Sequence, residues 1–383
     1  VLRRVEGGAP LADNEINRAY DFAGDFYNYL SRAFGRDSID NAGFPLVQTV
    51  NSRSTGCPNA YWNGMQAVYC TGVVTDDIVA HELCHGLTDR TARLLYQNQS
   101  GQLNESFSDV FGELVDLFNG NASDAGVPGG VSWPDPSLSG SGTDTPNNLR
   151  SACSPRPSHP NGVRWCIGED SAGFNGALRD MAMPTCLNDP DRANSPLMTC
   201  DPLDGGGVHH GSGVPNKAFT LVVDGGAFNG RTITGIGAIK AGAIWYRALT
   251  VYLTPASDFK DAYDALVQSA QDLVGTTPND PRTGALSASV ITADDVLQVV
   301  EALQAVELNT DGLCGQTDNV LDDAPPLECA DANILFAESF ESGAPGWTAS
   351  NSAPPTPYDW ALTTTPLPFG RPGVAMYCAD PSI

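Results

Sequence analysis

The sequence is short of positive charge: 20 Lys and Arg stand against 45 Asp and Glu, a formal net charge of −25 over 383 residues. That balance argues against nucleic acid or an anionic membrane as the main partner, because both bind through a basic footprint. No run of 18 or more apolar residues occurs, so no transmembrane segment is expected. No charged-then-apolar leader opens the chain, and Val1 is expected to begin a processed form. No cysteine pair has the CxxC spacing of a zinc ribbon, and no internal repeat is visible. Histidine is scarce too, at five residues, so the places where it clusters are informative.

Apolar residues make up 41% of the chain, enough for a real core. Glycine (40) and proline (28) together exceed the average of roughly 12%. Ten cysteines include four local pairs, 57/70, 153/166, 186/200 and 314/329, with Cys84 and Cys378 left over. Disulfides formed in an oxidising compartment explain this usage better than ten buried thiols, so a secreted, extracellular protein is expected.

Apolar periodicity predicts helices over 16–34, 76–95 and 107–118, the last stopped by Gly120, and strand-like runs at 47–50 and 66–69 around Asn63-Gly64. The stretch 120–165 is rich in Gly, Pro, Ser and Asp and reads as an irregular insertion. Helical stripes return at 217–223, 237–253, 257–273 and 293–306, followed by an acidic linker at 311–331. Residues 332–383 read as an aromatic-rich partial β segment, the possible start of a β-sandwich.

Four of the five histidines fall in two places. The first is His81-Glu82-Leu83-Cys84-His85. On a helix, residues i and i+4 share a face, so both imidazoles can reach one metal ion, with Glu82 beside them as general base. Twenty residues on, Glu105 and Asp109 repeat the i, i+4 spacing. Glu105 would complete the two-His, one-Glu ligand set of catalytic zinc, and Asp109 is placed to hold the free nitrogen of a ligand histidine. Taken alone, that pair reads more simply as a solvated acidic face. The second place is Asp204-Gly205-Gly206-Gly207-Val208-His209-His210. A histidine after a glycine run, with an Asp five residues earlier, suits an oriented donor to an oxyanion; spacing does not choose between His209 and His210.

With these motifs in view, the sequence resembles the thermolysin family of neutral zinc metallopeptidases. The resemblance is carried by HELCHGLTDRTARLLYQNQSGQLNESFSDVFGELVDLF at 81–118, NAYWNGMQAVY at 59–69, GGVHHGSGVPNKAFTL at 206–221 and the block at 235–275. These lie in family order within roughly residues 6–308. The resemblance implies an α+β, two-lobed fold: a β-rich N-terminal lobe with the zinc helix (1–110) and a mostly helical C-terminal lobe (111–310), with substrate held between them. It implies zinc on His81, His85 and Glu105, Glu82 as general base, and Tyr96 and His209 as oxyanion donors. Asp204 would orient His209, and Asp109 a ligand histidine. Arg179 would hold a substrate carbonyl, and Asn59 with the Ala60 main chain would pair with extended peptide.

The chain departs from the family in two regions. The stretch between Tyr69 and Asp77 is shortened, which alters the pocket for the residue after the scissile bond, although Ile78, Ile167 and Leu178 match apolar wall positions. Asp77, Asp116 and Glu169 match carboxylates of a paired calcium site, but two further acidic positions are Arg164 and Cys166, so one Ca²⁺ rather than two is expected. The leading expectation is a secreted, monomeric zinc endopeptidase acting on proteins or peptides. The alternatives are a catalytically inactive zincin-fold adhesion or binding protein, and an exopeptidase whose cleft is closed at one end by 120–165.

Overall fold

The computed structural model describes residues 2–119, 165–174 and 178–314, and the backbone of 361–363 and 375–377. The chain forms two compact units, Val1–Asp322 and Asp323–Ile383.

In the first unit, helix α1 (Asn14–Phe34) starts where the Asp13 side chain accepts from the Glu15 N–H and ends at Gly35, whose φ of 66° lets its N–H turn back to Leu30 and Ser31. Three short strands follow: β1 (Gln48–Ser52), β2 (Ala60–Trp62) and β3 (Ala67–Cys70). Their order is β1-β3-β2, with β1 parallel and β2 antiparallel to β3, so β2 lies at an edge. A Cys57–Cys70 disulfide ties the lead-in of β2 to the end of β3, as the spacing predicts.

Helices α2 (Asp76–Asp89) and α3 (Asn98–Asn119) pass through the centre and are buried along almost their whole lengths. Leu83, Leu87, Phe107, Phe111 and Leu114 belong to one continuous core with Phe26 and Tyr29 of α1, each such side chain contributing about 1.5–3 kcal/mol on burial. The expected extension of α2 to residue 95 is corrected: the helix ends at Asp89, and Arg93 adopts φ 57°, which no right-handed helix accepts. Conversely, α3 begins at Asn98, ahead of the apolar stripe that starts at Phe107 and of the helix head expected at Asn104.

Two short strands, β4 (Cys166–Ile167) and β5 (Arg179–Asp180), pair antiparallel. Then come α4 (Asp204–Gly211), α5 (Gly213–Asp224), the hairpin β6 (Gly225–Phe228) and β7 (Arg231–Thr234), α6 (Ala238–Arg247) continued by a π-helical turn to Tyr252, α7 (Phe259–Asp272) and α8 (Ala293–Ala305). Both α7 and α8 start with reciprocal capping boxes, Asp258 with Asp261 and Thr292 with Asp295. Among the described residues no helix is long and apolar enough to cross a membrane.

The local pairings 186/200 and 314/329 are corrected, because Cys200 is bonded to Cys314. The chain leaving α8 runs beside residue 193, where the Ala193 N–H donates to Val306 O and the Leu313 N–H to Ala193 O. That return brings the two cysteine Cα atoms to 5.3 Å. Cys186 is also disulfide-bonded, whereas Cys84 remains a buried thiol inside α2. The insertion at 120–164, and with it Cys153, lies outside the described residues, as do Cys329 and Cys378. In the second unit, β8 (Ala361–Thr363) and β9 (Ala375–Tyr377) pair antiparallel; the rest of the expected linker and β segment lies outside the described residues.

Candidate metal centre

Helix α2 carries His81 and His85 on the face turned to α3, and α3 presents Glu105 to them; ligand atoms of the three lie within 4.8 Å of one another. Each histidine is held from behind. His81 Nδ1 lies 2.9 Å from Asp109 Oδ1, and His85 Nδ1 lies 2.8 Å from Asn104 Oδ1. Both acceptors favour N–H at Nδ1, which leaves a lone pair at each Nε2. The two Nε2 atoms face each other at 3.1 Å. Two lone pairs at that distance repel, and a shared cation resolves the contact. Glu105 Oε2, wholly buried, meets no hydrogen-bond donor. Two imidazole nitrogens and a carboxylate form the donor set that zinc prefers, so these residues fit the metal.

The electrostatics follow from packing acids and bases together away from water. Burial opposes ionisation of Glu105, but His209, His85, His81 and Arg179 outweigh it and bring its pKa to about 2. Burial holds His85 near 4. It also lifts Glu82 to about 7, with Glu105 adding repulsion. Asp109 stays well below the usual carboxylate range despite its burial, because Arg179 and His81 lie against it. Arg179 grips it through Nε (2.7 Å) and Nη2 (2.5 Å), and Asn216 donates to it at 2.7 Å.

The glycine loop supplies the opposite wall. Gly205, Gly206 and Gly207 all have positive φ; a Cβ at Gly206 would fall 2.2 Å from Asn98 Oδ1, so the loop docks on α3 only as glycine. It sets His209 facing the site: Asp204 Oδ1 lies 2.8 Å from its Nδ1, and Nε2 is 3.1 Å from the Tyr96 hydroxyl and 3.5 Å from Glu105 Oε1. The Tyr96 hydroxyl donates to Glu105 Oε1. His210 bonds instead to Asp189 and Leu197.

These groups open onto a cleft of about 490 Å³ lined by Asn59, Ala60, His81, Glu82, Arg179, Asp204 and His209 among others. Ile78, Phe174, Leu178 and Leu187 supply its apolar surface; Ile167, fully buried in β4, is not part of the lining. Two expected site residues thus meet supporting partners that spacing did not reveal: Asn104 and Ser108 at His85, and Asn216 and Arg179 at Asp109.

A second cluster lies at the start of α2. Asp77, Glu113 and Glu169 bring carboxylate oxygens within 4.8 Å of one another. Asp116, one turn beyond Glu113, is buried but does not belong to this group. Burial and the neighbouring Asp76 lift Asp77 to about 7. Glu113 was not anticipated; its i, i+3 relation to Asp116 is the only sequence signal that could have suggested it.

This arrangement, a helix-borne histidine pair completed by a glutamate from the next helix, is that of a zinc metallopeptidase centre. The family model of the thermolysin metallopeptidase catalytic domain matches residues 11–89, and that of the thermolysin metallopeptidase alpha-helical domain matches residues 92–133 and 143–285. Neutral protease NprE of Bacillus pumilus is 40% identical over 264 residues, covering 66% of this chain and 69% of its own length. Bacillolysin of Bacillus cereus is 38% identical over 283 residues, 69% of this chain and 42% of its own, and thermolysin of Alicyclobacillus acidocaldarius is 36% identical over 287 residues, 70% and 45%. The solved precursor of protealysin, a metalloproteinase from Serratia proteamaculans, matches with a TM-score of 0.55 at 28% identity, covering 80% of this chain and 82% of that one. The chain belongs to the thermolysin family and has its α+β fold. It spans less than half the length of the bacillolysin and thermolysin chains it matches.

Proposed function

We propose that this chain is a secreted, monomeric zinc endopeptidase that cuts internal peptide bonds and favours an apolar residue just after the scissile bond. The observation that carries the reading is the convergence of His81, His85 and Glu105 with Glu82, Tyr96 and His209 at one cleft. Zinc, when bound by the first three, supplies a Lewis acid that acidifies water and polarises a carbonyl. Glu82, with a pKa near 7, is suited to take a proton from water at neutral pH and return it to the leaving amine. Tyr96 and His209 serve the carbonyl oxygen as it gains negative charge, with Asp204 fixing the His209 ring. Losing one such donor costs about 3 kcal/mol of barrier.

Arg179 spends Nε and Nη2 on Asp109, which leaves its remaining N–H groups for a substrate carbonyl. Asn59 and the Ala60 main chain, at the edge of the sheet, suit pairing with extended peptide. Ile78, Phe174 and Leu178 favour an apolar side chain. The cleft would lie between a β-rich N-terminal lobe and a helical C-terminal lobe. One Ca²⁺ would sit on Asp77, Glu169 and Glu113, oxygen ligands that suit a hard cation, with Asp116 a turn away. The ten cysteines and acidic surface support secretion. Against an inactive adhesion protein stands the full set of base, ligands and oxyanion donors.

Mass spectrometry of peptides cut from a denatured proteome tests this reading. Internal cuts before apolar residues, abolished by a zinc chelator, are expected. Trimming from chain ends alone, or no cutting, would contradict it.

A further inference from the structure

Sequence spacing leaves His209 and His210 equivalent, but the fold gives them different neighbours. His210 Nδ1 lies 2.8 Å from Asp189 Oδ1, and its Nε2 lies 2.7 Å from the main-chain carbonyl of Leu197. A carbonyl oxygen only accepts hydrogen bonds, and so does an ionised carboxylate. A neutral imidazole has one N–H, so one of these contacts would set a ring lone pair against an oxygen lone pair. The imidazolium satisfies both.

The two contacts join separate parts of the site. His210 rides on α4 directly after His209, while Asp189 and Leu197 belong to the segment between β5 and α4. Leu187 and Asp189 of that segment line the cleft beside Leu178 and Arg179, and His210 lines it with them. The charged groups facing the ring are Asp189 and, on its own helix, Asp204; Arg179 of β5 and Asp109 of α3 act on it through Asp189.

We propose that His210 is a positioning residue whose imidazolium form fastens the cleft-lining segment 184–200 to the helix that carries His209, and whose loss of a proton releases that hold. The bond to Asp189 raises its pKa above the ordinary 6.5, so opening of the clamp falls on the alkaline side of that value. Opening loosens the wall formed by Leu187 and Asp189 and leaves Glu82 and the metal ligands in place. The effect therefore falls on peptide binding more than on turnover. The kinetic part rests on the proposed peptidase activity; the charge state of the ring does not.

Two measurements on the zinc-loaded chain separate these parts. In nitrogen NMR with labelled histidine, both ring nitrogens of His210 should be protonated at pH 7 and titrate as one group on the alkaline side of 6.5. A single neutral tautomer at pH 7, with the proton on Asp189 or absent, overturns the proposal whatever the kinetics show. In peptide hydrolysis, His210→Gln should raise KM roughly tenfold, about 1.4 kcal/mol, with a much smaller fall in kcat, and should flatten the alkaline rise in KM. Asp189→Asn added to it should worsen KM little further, because both remove one clamp. Additive losses, or a fall confined to kcat, would overturn the positioning role.

Discussion

One helical turn separates Asp77 from His81 on α2, and two turns separate Glu105 from Glu113 on α3, yet the two clusters handle buried charge in opposite ways. Where histidine and arginine surround the acid, Glu105 is held ionised, at about 2. Where burial acts with the neighbouring Asp76 carboxylate, Asp77 is pushed to about 7. The first cluster is preorganised by Asp109, Asn104 and Arg179 before any metal arrives. In the second, Asp77 ionises only around pH 7 unless the proposed cation is bound. In the proposed reading, the catalytic site is thus held rigid by its own side chains, and the neighbouring one depends on its ion.

The largest expected effect comes from breaking the first cluster. Glu105→Ala should eliminate bound zinc, read by metal analysis, and with it all measurable cleavage. Next, His209→Gln should lower kcat by about 10²–10³-fold while leaving zinc content intact; loss of zinc in that variant would show that the glycine loop supports the metal as well. Asp109→Asn removes the charge that steadies both His81 and Arg179, and should weaken zinc affinity by about 10–100-fold, measured by competition with a chelator.

The second cluster should respond more mildly and with a pH signature. Asp77 binds its proton more tightly when folded, near pH 7, than its ordinary 3.8. In calcium-free protein its contribution therefore falls as pH rises from about 4 to about 7 and is flat above. Added calcium should reverse that loss, with release of protons and a gain in Tm of about 5–10 °C at 100-fold excess over Kd. A calcium effect equally large at pH 4 and pH 8 would break the contrast.

Much of this site was legible because its chemistry demands rigid spacing. HExxH, the glutamate twenty residues later and the glycine-histidine run can be read from sequence order, and family resemblance extends the reading to Tyr96 and Arg179. Apolar periodicity located most helices. It failed at the start of α3, where Gln99, Ser100, Gln102, Asn104 and Ser106 are buried and hydrogen-bonded, for example Ser106 to Asn216 and Ser100 to the Pro255 carbonyl. No hydrophobic stripe marks a helix buried in polar company. The Cys200–Cys314 bond closes a loop of 114 residues, and only the tertiary return of the chain beside residue 193 makes it evident. The divergence of His209 from His210 likewise needed the positions of Asp189 and Leu197.

In the proposed chemistry Glu82 moves the protons while His81, His85 and Glu105 hold the metal. Purified Glu82→Ala protein, assayed together for zinc content and for cleavage of a denatured protein, tests it most directly. One zinc per chain with cleavage reduced by about 10³-fold or more is expected. Substantial turnover by the pure, zinc-loaded variant would contradict it.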